Sequence, residues 1–169
     1  MWLGSRFAAS IPFLDEASSR EWVVGDYADV EVVTPHVVWV RVVGEPTDES
    51  YRAYIDDVAA AFRSQECFVM LFDTGGLANL PARHREMLTT WLAETEDEFK
   101  GRWLGAAFVI RQRMLRGVLS AMHWLSPPYY PHKVVATADD GWAWLQQLLV
   151  DAELSPPPVP PHLLRGPAR

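Results

Sequence analysis

With one cysteine in 169 residues, the chain has no internal disulfide and no cysteine-based metal site. Cys67 is therefore read as a small apolar packing residue at the head of a buried run. No apolar stretch approaches the ~20 residues needed to cross a bilayer. The first ten residues, MWLGSRFAAS, also lack the unbroken apolar core of a secretion signal. The sequence thus predicts a soluble, cytoplasmic protein. Nucleophile elbows, Walker loops, H-E-x-x-H helices, G-x-G-x-x-G turns and C-x-x-C pairs are all absent. His36, His84, His123, His132 and His162 form no i,i+4 pair and adjoin no ligand triad. No metal, cofactor or catalytic residue is expected. A net charge of −7 offers phosphate backbones no general attraction, so nucleic acid is not an expected partner.

What is abundant is apolar and aromatic: 49% hydrophobic residues, with eight tryptophans, exclude wholesale disorder and give one domain of this length a sizeable core. Residues 1–29 lack sustained periodicity and read as an irregular N-terminal arm. The β-branched runs VEVVT (30–34) and VVWVRVV (37–43) flank Pro35 and His36, which predicts an antiparallel hairpin. Thr47 can cap a helix buried along Tyr51, Tyr54, Ile55, Val58, Ala59 and Phe62.

Further on, CFVMLF (67–72) and WLGAAFVI (103–110) are continuous apolar runs, as in strands buried on both faces. Between them Pro81 suits a first helical turn, and Met87, Leu88, Trp91, Leu92 and Thr95 continue the stripe. A third helix is predicted to bury Met114, Leu115, Val118, Leu119, Met122 and Leu125, ending at Pro127 and Pro128. KVVAT (133–137) is a last strand, and Thr137 with Asp140 can form a capping box for a final helix. The prediction is an α/β domain over 30–150, in the order β-β-α-β-α-β-α-β-α. Its mixed, mostly parallel sheet has about five strands with flanking helices. The Pro-rich tail at 151–169 carries SPPPVPP and is expected to be extended, semi-rigid or disordered.

Acidic residues are missing altogether from 100 to 138, where Lys100, Arg102, Arg111, Arg113, Arg116 and Lys133 all fall. Arg111, Arg113 and Arg116 crowd the start of the third helix, where the helix dipole favours anions. With Trp124, Tyr129 and Tyr130 of the following aromatic segment they form a candidate protein-docking patch. Bland arrangements give the same composition: pairing of the arginines with the acidic run at 94–98 or their plain solvation at the surface, and burial of the aromatics in the domain's own core.

Asp73, Thr74, Gly75 and Gly76 follow a buried strand and make a candidate switch or ligand loop, with Asp73 orienting a ligand or Thr74 accepting phosphate. The glycines serve equally well to let the chain leave the strand. The tryptophans also admit an apolar pocket between helices and sheet, walled by Trp91, Trp103 and Trp124, for a lipid or small apolar ligand. An exposed edge of the opening hairpin could pair two copies into a homo-oligomer.

The element order, the strand ending LFDTGG, the block GAAFVIRQRMLRGVLSAMHWLSPP and the closing ATADDGWAWLQ resemble the STAS-like (SpoIIAA-like) domains over roughly 30–149. That resemblance implies a non-enzymatic bacterial module, regulatory, signalling or scaffolding, that works by protein–protein interaction. It also implies relatives that bind lipids or small apolar ligands. The Asp-Ser-Ser-Gly tetrad phosphorylated in some members registers on Pro81-Ala82-Arg83-His84, which holds no acceptor; a shifted register puts Thr74 there instead.

Overall fold

The computed structural model describes residues 21–23, 25–33, 36–75, 77, 79–125 and 127–158. The two β-branched runs form β2 (Ala28–Val33) and β3 (Val37–Val42), antiparallel as expected. Of the turn between them, Pro35 lies outside the described residues and His36 is left-handed at φ 70°. One strand precedes the predicted set: β1 (Glu21–Val23) pairs antiparallel with β2. The arm expected to be irregular thus supplies β1 and the first residues of β2 to the sheet, and Tyr27 and Ala28 belong to the core. Residues 1–20 lie outside the described residues.

After the hairpin come α1 (Asp48–Arg63), β4 (Phe68–Asp73), α2 (Ala82–Phe99), β5 (Trp103–Val109), α3 (Arg113–Leu125), β6 (His132–Val135) and α4 (Ala138–Asp151). The sheet runs β1-β2-β3-β4-β5-β6 in space, and β3 to β6 are parallel. Because strand order advances steadily, crossovers of one hand put α1, α2 and α3 over the same face. The opposite face is left to α4. Side chains sort accordingly along β4, where Phe68, Met70 and Phe72 join the core under α1–α3, while Val69 and Leu71 join the core under α4.

Local capping follows the sequence. Thr47 Oγ1 accepts from Ser50 N at 3.1 Å and Ser50 Oγ accepts from Thr47 N at 3.0 Å, a complete capping box. At α4 the expected box is half made: Thr137 Oγ1 accepts from Asp140 N at 3.1 Å, but the Asp140 carboxylate takes the Thr137 hydroxyl instead of its backbone N–H. The tail is not loose where it is described. Leu154 packs on the core under α4 and Pro157 is buried, while residues 159–169 lie outside the described residues.

Candidate functional site

Three helices laid over one sheet face do not close it completely. Between the sheet and α1, α2 and α3 lies a cavity of about 110 Å³. Its floor includes Met70, Phe72, Trp103 and Phe108 of β4 and β5. Tyr51 and Tyr54 come from α1, Trp91 and Leu92 from α2, and Leu115, Leu119 and Met122 from α3. The expectation of an apolar pocket is met on two of its three tryptophan walls, Trp91 and Trp103.

Trp124 is not a third wall, because it is 82% exposed. At 100° per residue the inward stripe of α3 is Leu115, Val118, Leu119 and Met122, and Trp124 falls opposite it. Met114 and Leu125, predicted inward, are likewise outside at 66% and 77% exposed.

Aromatic packing stiffens the wall. The Trp103 indole stacks on Tyr130 with ring centres 3.5 Å apart, and Phe62 lies 4.7 Å from the same ring. Tyr27, Tyr51 and Tyr54 form a mutual cluster with centres 5.3 to 5.4 Å apart. Burial drives all three phenols far above their usual pKa and keeps them neutral. Tyr27, which sequence reasoning left in the arm, carries no local signal for this role; its neighbours come from a helix more than twenty residues away.

The proposed docking patch divides in the structure. Tyr130 is 6% exposed and Tyr129 is half-buried with its ring edge on Trp103, so the pair belongs to the core rather than to a surface. Arg111 Nη1 lies 3.6 Å from Asp73 Oδ1, which joins the basic patch to the predicted loop across the ends of β4 and β5. Arg113 and Arg116 have no ion-pair partner among the described residues. The acidic run does not neutralise them, since Glu98 pairs with Arg63 at 2.7 Å and Glu96 with Lys100 at 2.9 Å.

In the loop, Asp73 Oδ1 accepts from Gly75 N at 2.9 Å, and Gly76 lies outside the described residues. The Thr74 hydroxyl is buried and donates to Val109 O at 2.8 Å. Phosphate has no room there unless the loop opens. Thr74 instead lines the cavity. His84 is buried with Nε2 3.1 Å from Asp48 Oδ1 and its ring 4.7 Å from Tyr51, a tie between α2 and α1. Cys67 precedes β4 rather than entering it, half-buried with Sγ 3.7 Å from His36 Nδ1.

His123 is the polar group of the α3 wall. Its ring sits 4.1 Å from that of His132 and 5.8 Å from Phe108. Burial, and then the neighbouring His132, lowers its pKa to about 4 from the usual 6.5. Between those values the unfolded chain binds a proton that the folded chain refuses, so stability falls as pH drops through that window. The Glu98 carboxylate, held below its usual 4.5 by Arg63, adds its loss only at lower pH. Thermal unfolding followed from neutral pH to about pH 5 should show a falling midpoint, and His123→Phe should flatten that fall. An unchanged slope in the variant would assign the acid sensitivity elsewhere.

Neither a family model nor a curated protein matches the chain. Among solved structures it is similar to an uncharacterized DUF3478-family protein with a SpoIIAA-like fold from Shewanella loihica. That likeness has a TM-score of 0.50 at 15% sequence identity and covers 75% of this chain and 94% of the other. Identity so low carries the architecture alone. No helix among the described residues is long and apolar enough to cross a membrane. The chain is an α/β domain with a SpoIIAA-like fold.

Proposed function

We propose that this domain is a non-enzymatic binding module whose cavity under α3 takes a small apolar ligand. The observation that carries the reading is the aromatic and aliphatic cavity itself, roofed by α1, α2 and α3. An apolar void of about 150 Å³ stays dry and takes up benzene, and the cavity here is comparable at about 110 Å³. It suits a single ring or a short branched chain. A full acyl chain would need α3 to move outward.

The protein-docking reading ranks second. Burial removes Tyr129 and Tyr130 from its surface and the contact with Asp73 engages Arg111, which leaves Arg113, Arg116 and Trp124. A regulatory role would follow if ligand occupancy shifts α3 and so changes what its outer face presents.

Calorimetric titration with benzene tests the proposal. Saturable binding is expected in the full chain. The plug variant Leu119→Trp, which puts a larger ring into the cavity, should lose at least about tenfold in affinity while still unfolding cooperatively. Equal binding by both chains, or none by the wild type, would refute it.

A further inference from the structure

The outer face of α3 is unusual for a water-exposed helix. Trp124, Leu125 and Met114 are 82%, 77% and 66% exposed, and the positions between them on that face are the small residues Gly117 and Ala121. Eleven residues span about three turns, so Arg113 lies in line with Trp124. Arg116 flanks the same face on one side, and Met114 and Leu125 on the other. A helix whose inner stripe is already used by the cavity thus shows a second apolar stripe bordered by cations.

We propose that this face docks on an anionic lipid surface. Charge complementarity selects the occupant. The chain carries −7 overall, yet residues 100–138 hold no acid, and Arg113 and Arg116 have no ion-pair partner among the described residues. A second copy of the chain fits poorly, because the same face on the partner brings these arginines no acidic group, residues 100–138 holding none. Small residues between exposed apolar ones make a shallow surface with few features for a protein partner to grip, whereas a fluid interface conforms to it. Trp at the edge of a basic apolar helix is a pattern suited to the headgroup boundary. The proposal stands on surface residues and does not need the cavity to bind anything.

The test is co-sedimentation of the full chain with vesicles of phosphatidylcholine alone, and with vesicles of equal parts phosphatidylcholine and phosphatidylglycerol. Binding is expected to the mixed vesicles, to weaken as salt is raised, and to be at least about tenfold poorer on the neutral ones. Arg113→Glu with Arg116→Glu should lower partitioning onto mixed vesicles by more than about tenfold. Trp124→Ser should also lower it, by about tenfold. Because Trp124 lies outside the cavity wall, Trp124→Ser should bind benzene as the wild type does, so failure of this proposal and failure of the cavity reading are separable. No binding to anionic vesicles, equal binding to both compositions, or indifference to the variants would overturn it. So would an acidic protein held by this face in a chain that ignores vesicles.

Discussion

Trp103→Ala is expected to cost about 3–5 kcal/mol of folding stability, the range for removing a large aromatic ring from a packed core. Trp103 is 4% exposed at the head of β5 and is the hub of the aromatic wall. It stacks on Tyr130, meets Phe62 and Phe68 with centres 4.7 and 5.8 Å away, and donates its indole N–H to Gly105 O at 3.2 Å. Alanine would strip contacts from elements that this ring joins: α1 by Phe62, the segment before β6 by Tyr130. The void would merge with the existing cavity, which makes collapse around it harder. Urea unfolding gives the value directly, with Trp124→Ala as the reference. That residue is 82% exposed, so its loss should fall within about 0.5 kcal/mol of wild type. A loss below about 1 kcal/mol at Trp103 would mean that the wall is not packed as described.

Gly141→Val should be nearly as damaging, by about 3 kcal/mol. Gly141 is in the first turn of α4 and is buried against the sheet. A Cβ added there would come within 2.9 Å of Leu71 Cδ1, 3.2 Å of Ala107 Cβ and 3.3 Å of Val135 Cγ2, on three adjacent strands. Leu71 and Ala107 are fully buried and have nowhere to retreat. Valine adds two methyl groups to that clash, and the helix must lift off the sheet. The contrasting case is Gly117 in α3, where an added Cβ meets nothing within 4 Å. Gly117→Ala should stabilise the protein by about 0.5–1 kcal/mol through helix propensity alone. Melting curves of the two variants should therefore move in opposite directions; a shift of the same sign in both would contradict the packing of α4.

The framework was legible because its signals are local. VEVVT and VVWVRVV are β-branched runs on either side of Pro35 and His36, and CFVMLF is an unbroken apolar run closed by Asp73 and a glycine pair, so the hairpin and the central strand are each readable from local pattern. β1 was missed because EWV is only three residues long; Gly25 and Asp26 supply a turn signal after it, but only pairing with β2 makes so short a run a strand. On α3, Met114 and Leu125 satisfy helical spacing as well as Leu115 and Met122 do. Periodicity could not decide between two apolar stripes on one helix; the position of the sheet does. Tyr129 and Tyr130 failed as surface residues for a related reason, since aromatic and proline content is the same for an interface and for a core wall. The Arg111–Asp73 contact joins the ends of adjacent parallel strands, a long-range relation that residue spacing does not encode. The cavity arises from imperfect closure of three helices over one face, and no motif marks it.

The most direct test of the account is methyl NMR of the full chain during titration with benzene. Shifts are predicted for Met70, Leu88, Leu115, Leu119 and Met122, which line the cavity. Leu71, Leu145 and Leu149, in the core under α4, should remain in place. So should Met114 and Leu125, on the outer face of α3. Shifts confined to Met114 and Leu125, or none at saturating benzene, would contradict an apolar ligand site inside the domain.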